Sequence, residues 1–178
     1  MNDQLNLRAP DAAFEDPLWV RASAAGLRPS LGEIGLQQFA PYLINSVSLS
    51  WTTHLANALK AHDMTTTKMR ALAILSISSP VTINELSLYA LTEQSTMSRT
   101  LDSLEEKGFI LRRPRAEDLR VRDVEITQPG REAFAKVWPT MYEALLKIFE
   151  GVDNQEYKAF TATLHKIIQN VRKHEIGV

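Results

Sequence analysis

The chain has 178 residues, 44% of them hydrophobic and 23% charged, a globular balance long enough to bury a core of ordinary size. It contains no cysteine, which excludes disulfide scaffolds, thiolate nucleophiles, Cys-based zinc sites and thiol redox sensing. The formal net charge of −1 offers no overall attraction to nucleic acid, so any such affinity must lie in how charge is distributed.

No apolar run approaches the ~18 residues that a membrane span needs. The opening MNDQLNLRAPDAAFEDP lacks the basic start and apolar centre of a secretory signal. A cytoplasmic protein with no membrane partner is therefore expected. Residues 1 to about 30 carry Pro10, Pro17 and Pro29 with little periodicity, which reads as an arm with one short turn at Leu18–Ala24. Ser30-Leu-Gly-Glu33 has capping-box spacing and can open a helix. Pro41 then either kinks that helix or sits in the first turn of the next. Leu43, Val47, Trp51, Leu55 and Leu59 recur every four residues as an apolar stripe. The other face, with Ser46, Ser50, Thr53 and Asn57, is polar but uncharged, and either packs against another subunit or stays solvated.

Thr65–Thr67 offer N-caps for a helix with Met69, Leu72 and Leu75 on one face, ended by Ser78-Ser79-Pro80. Thr82-Ile-Asn-Glu85 is a second capping-box match, opening a short helix with Leu86 and Tyr89 inward. Thr92 can cap a longer helix a few residues on, which gives the layout of a helix-turn-helix. Met97, Leu101 and Leu104 fix the buried face of that longer helix, so Gln94, Ser95, Ser98, Arg99 and Asp102 point outward. Gly108 after Lys107 signals its end. Residues 109–113 and 122–126 read as two strands joined by a loop rich in Arg and Asp. From Arg112 to Arg122 there are five arginines against Glu117 and Asp118, a directed basic patch on a near-neutral body.

Thr127-Gln-Pro129 starts a long helix bearing Phe134, Val137, Trp138, Met141, Leu145 and Ile148, with Pro139 expected to bend it. Gly151 stops it, and Asp153-Asn-Gln-Glu156 opens a last helix with Tyr157, Phe160, Leu164, Ile167 and Val171. The fold class expected is mainly α with a small β-hairpin wing. An arm (1–32) and a dimerisation helix (33–62) precede a winged helix-turn-helix (63–127), and C-terminal dimerisation helices (128–178) follow it. Terminal amphipathic helices that cannot reach back over so small a centre bury their faces against a partner, most often in a symmetric dimer.

At these residues the chain resembles the MarR family of transcriptional regulators. The pieces are MTTTKMRALAIL, then STMSRTLDSLEEKGFI, the loop AEDLR with its Asp-x-Arg core, and VEITQPG. The resemblance covers roughly residues 35 to 172. Two positions depart from the family pattern: Leu119 where an arginine is common, and Thr100 where an aliphatic residue is common.

An α-helix fits the major groove and reads base edges through its N-terminal side chains, here Gln94, Ser95, Thr96, Ser98 and Arg99. The bland alternative for this set is a solvated polar edge. Arg120 at the wing tip would enter the minor groove, and the resemblance implies that Asp118 holds it there. The alternative is a surface ion pair of little worth. Arg112, Arg113, Arg115 and Arg122 would touch phosphates and set affinity rather than sequence. A homodimer would then bind double-stranded DNA at half-sites ~10 bp apart, and the resemblance implies repression as the commoner outcome. The resemblance also implies a small, often aromatic effector, for which Trp51, His54, Met64, Met69 and Tyr89 are candidates; each is equally readable as core.

An enzyme finds no support, because the chain has no Gly-rich phosphate loop, no HExxH and no G-x-S-x-G. The histidines at 54, 62, 165 and 174 are dispersed, and neither a metal nor a cofactor is expected. The remaining rival is a winged helix used as a protein–protein interaction or dimerisation module. A neutral wing and an apolar leading edge on the reading helix would mark it.

Overall fold

The computed structural model describes residues 25–26, 28–115 and 118–173. The short turn expected at Leu18–Ala24 lies outside the described residues. The chain divides into two compact units, with the break between Met69 and Arg70.

In the first unit, α1 (Leu31–Ile34) is a single turn opened by the expected capping box. Ser30 Oγ accepts the Glu33 N–H at 3.3 Å, and the Glu33 carboxylate accepts the Ser30 N–H at 2.7 Å. A 3₁₀ turn at Leu36–Gln38 leads into α2 (Ala40–Leu59). Pro41 sits in its first turn, where the missing N–H costs nothing, so the proline starts this helix rather than kinking an earlier one. Of the expected stripe only Leu55 and Leu59 are buried, whereas Leu43, Ile44, Val47 and Leu49 are exposed. The Ser46 and Thr53 hydroxyls donate back to the carbonyls of Tyr42 and Leu49 at 2.9 Å, which spares them a partner elsewhere. Thr65 Oγ1 accepts the Lys68 N–H at 3.2 Å and so caps α3 (Thr66–Ile77), the helix that crosses the break.

The second unit holds the compact centre. Ala71, Leu72 and Leu75 of α3 are fully buried. After the cis Ser79–Pro80 peptide come β1 (Val81–Thr82), α4 (Ile83–Tyr89), α5 (Gln94–Glu106), β2 (Ile110–Pro114) and β3 (Arg122–Ile126). The sheet is antiparallel in the order β1-β3-β2. β1 is the element the sequence hides: two residues cannot show alternation, and Thr82 ends the strand while capping α4. Its register, Val81 opposite Val124 and Thr82 opposite Asp123, ties the start of α4 to the hairpin.

Two local expectations change. Tyr89 is 61% exposed, because the inward face of α4 is Leu86, Ser87 and Ala90, and Tyr89 falls on its flank. Thr92 does not cap α5; its hydroxyl donates to the Ala90 carbonyl at 3.1 Å, and Glu93 takes the N-cap position without a side-chain bond.

Gly108, at φ +70°, ends α5 in the left-handed conformation that favours glycine. Thr127 then locks the next junction: its hydroxyl donates to the Gly108 carbonyl at 2.7 Å and accepts the Gly130 N–H at 3.1 Å. A Cβ on Gly130 would overlap the Phe109 carbonyl, so the Thr-x-x-Gly spacing is a packing requirement. α6 (Gln128–Ile148) runs through Pro139, and α7 (Asn154–Lys173) opens where Asp153 Oδ1 accepts the Glu156 N–H at 2.9 Å. α6 buries Val137 and Gly130, and α7 has no buried residue.

Candidate nucleic-acid interface

The core sets the face of α5. Met97, Leu101 and Leu104 are fully buried against the centre, and this leaves Gln94, Ser95, Thr96, Arg99 and Asp102 exposed and Ser98 half-buried. Glu93, at the N-cap of α5, makes no side-chain capping bond, so the first-turn amides are not taken up by that residue. Gln94 is held from the side: its Nε2 donates to Asn84 Oδ1 of α4 at 2.7 Å.

The hairpin places its arginines in different surroundings. Arg112 lies opposite Val124, two residues along from the Ile110–Ile126 pair, on the face that meets α5. Its side chain is only 18% exposed, and its guanidinium is shared between two acids of α5. Nε donates to Glu105 Oε2 at 2.8 Å, Nη2 donates to Asp102 Oδ1 at 2.7 Å, and the backbone N–H reaches Glu105 Oε1 at 3.1 Å. That hydrogen bonding holds the Glu105 carboxyl below the ordinary carboxylate range and raises Arg112 in turn. Arg115 forks onto Asp123 of β3, with Nη2 donating to Oδ1 at 2.6 Å and Nε to Oδ1 at 3.0 Å. Arg112 and Arg115, expected at phosphates, are thus each paired with carboxylates of their own chain.

Arg113 and Arg122 are exposed. At the tip, Asp118 accepts the Arg120 backbone N–H at 3.0 Å and its Nε at 3.3 Å. The Asp118 carbonyl accepts the Val121 N–H at 2.9 Å, closing the turn. The Arg120 side chain nevertheless remains 93% exposed, oriented by one carboxylate and projecting into solvent.

The effector candidates are scattered in environment. Trp51 is half-buried, and His54 is exposed with Nδ1–H donating to the Ser50 carbonyl at 2.8 Å. Met64 and Met69 are buried core residues of the first unit, whereas Tyr89 belongs to the second and is exposed. Among the described residues no three potential metal ligands cluster, and no helix is long and apolar enough to cross a membrane. Sequence reasoning missed Asn84, Asp102, Glu105 and Asp123 as partners, since no periodicity links them to Gln94, Arg112 or Arg115.

Comparison with known proteins gives a single answer. The sequence model of the MarR family matches residues 53–121. A crystal structure of a MarR-family transcriptional regulator from Silicibacter pomeroyi is 40% identical, superposes with a TM-score of 0.76, and matches over 83% of this chain and 100% of its own. The HTH-type transcriptional repressor IacR of Pseudomonas putida is 24% identical over 143 residues, 80% of this chain and 86% of the relative. A cysteine-to-serine mutant of E. coli MarR complexed with operator DNA shares the fold, with a TM-score of 0.63 at 21% identity over 70% of this chain and 90% of its own.

Proposed function

Because the chain belongs to the MarR family, whose members are transcriptional regulators rather than enzymes, we propose that it represses transcription by gripping a pseudo-palindromic operator as a homodimer. The observation that carries this reading is the Arg112 brace. It joins β2 to α5, so that the exposed edge of α5 and the Arg120 tip form one preorganised unit. In the proposed complex α5 enters the major groove, with Gln94, Ser95, Thr96, Ser98 and Arg99 at the base edges. Its uncapped first turn faces a phosphate. Arg120, oriented by Asp118, enters the adjoining minor groove, and Arg113 and Arg122 bind phosphates. Arg112 and Arg115 serve as internal braces.

Dimerisation is supported by the apolar residues that one chain leaves uncovered: Trp138, Tyr142 and Leu146 on α6, and Tyr157, Phe160, Ile167, Ile168 and Val171 on α7. Repression is supported by the likeness to the repressor IacR, and relief by a small aromatic ligand by the family likeness alone.

The test is quantitative footprinting on the DNA upstream of the chain's own gene. Arg120→Ala is expected to weaken binding about 10-fold or more at physiological salt, the size of one lost specific contact, while leaving the melting temperature unchanged. Wild-type affinity in that variant would remove the wing from the interface. An operator affinity independent of salt would remove the DNA reading altogether.

A further inference from the structure

Asn84 is the second residue of α4 and Gln94 the first residue of α5. Both side chains are exposed, yet Gln94 Nε2 donates to Asn84 Oδ1 at 2.7 Å across ten residues of sequence. An exposed amide–amide bond contributes little to folding, because water competes for both groups. Its effect is to take rotational freedom from the Gln94 carboxamide before any ligand arrives, which lowers the ordering cost of binding.

The chemistry of a carboxamide makes that restraint useful. Gln pairs bidentately with adenine N6 and N7, using its oxygen and the N–H on the same side of the amide. The second N–H is spare in that pairing, so Asn84 can hold it without consuming the reading edge. Asn84 is itself well placed to act as a fixed point. The capping box that opens α4 flanks it, with Glu85 Oε2 accepting the Thr82 N–H at 2.8 Å and the Thr82 hydroxyl at 2.7 Å. Thr82 in turn pairs with Asp123 of β3.

The geometry points to Asn84 as a positioning residue that orients Gln94 to read an A·T pair in the major groove. This inference rests on α5 being the reading helix, and the test separates the two. Full-length wild type, Gln94→Ala, Asn84→Ala, Asn84→Asp and the Asn84→Ala/Gln94→Ala double variant each select from a randomised duplex library, and the enriched duplexes are sequenced. Wild type is expected to prefer adenine at one symmetric pair of positions. Gln94→Ala loses about 10-fold of that preference. Asn84→Ala loses most of it at the same positions and nowhere else, and the double variant is no worse than Gln94→Ala. Asn84→Asp retains the acceptor and so keeps the adenine preference, while its added charge lowers affinity uniformly across sequences. Matching thermal melts for Asn84→Ala and wild type exclude a folding effect.

Three results overturn the inference: full adenine preference in Asn84→Ala, losses that add in the double variant, or losses spread over unrelated positions. A wild type that enriches no sequence overturns the α5 reading itself and this inference with it, a result distinct from selective wild type with an unaffected Asn84→Ala.

Discussion

The centre of the second unit and its terminal helices are built from the same pattern and meet opposite fates. Met97, Leu101 and Leu104 recur at helical spacing on α5 and are fully buried. Tyr157, Phe160, Leu164, Ile167 and Val171 recur at the same spacing on α7, where no residue is buried. The aromatic ladder of α6 behaves like α7: Phe134, Trp138 and Tyr142 stack at centroid distances of 5.9 and 6.1 Å, with Trp138 and Tyr142 exposed. Periodicity states that a helix has a face to cover but not what covers it. α5 packs against α4 and β2 and so finds its cover inside the chain, whereas the apolar face of α7 is left uncovered by its own chain.

The sharpest way to break the comparison is to change one residue on each side. Leu101→Ala opens a cavity in a closed core and is expected to cost about 2–5 kcal/mol, read as a large drop in the denaturation midpoint. Ile167→Glu alters a position that, in one chain, ranks as surface and would cost under about 0.5 kcal/mol. On the proposed dimer it instead buries a charge, so light scattering at micromolar concentration should show the monomer mass. A dimer unchanged by Ile167→Glu would mean that the α7 face stays in water, and the two regions would then differ in design rather than in partner.

A smaller effect sharpens the border between the centre and the wing. The Glu105 carboxyl is held below its ordinary range, first by the Arg112 hydrogen bond. Its folded value lies below its unfolded one, so its contribution is present above the ordinary carboxylate range and is lost as pH falls through the folded value. With Glu105 a third exposed, solvent screening limits that contribution to about 1 kcal/mol. Glu105→Gln should therefore be less stable than wild type at pH 7, and the gap should close as pH falls below the carboxylate range. A gap that persists in acid would assign the loss to packing rather than to the ion pair.

Much of this architecture was legible because it rests on local rules. The capping boxes at Ser30 and Thr82, the Gly108 stop, the Thr127 start and the buried stripe of α5 all follow from short-range geometry. β1 was not legible, since a two-residue strand exists only through its pairing with Val124 and Asp123. The arginine patch was visible as charge, but its division of labour was not. Whether Arg112 faces α5 or solvent depends on a hairpin register that sets Arg112 against Val124, and one residue of slip would exchange the two faces. The Thr92 cap failed for a related reason. Its hydroxyl finds the Ala90 carbonyl of the preceding turn, a competing local bond that no capping rule ranks.

The smallest expected effect concerns the turn that joins α4 to α5. Leu91 has φ +52°, in the left-handed region where a Cβ is penalised, and its side chain is 84% exposed. Nothing is gained by burial there, so the residue bears a cost of roughly 1–2 kcal/mol without return from packing. Glycine would relieve that strain while losing roughly 0.5–1 kcal/mol in unfolded-chain entropy. Leu91→Gly should accordingly gain a few tenths to about 1 kcal/mol, and Leu91→Asn, which tolerates the same backbone, should move in the same direction. Urea denaturation of the three proteins resolves the sign. Equal or lower stability in both variants would show that the leucine is engaged in the folded protein, and the turn would then belong with the uncovered apolar faces of α6 and α7 rather than with the closed core beside it.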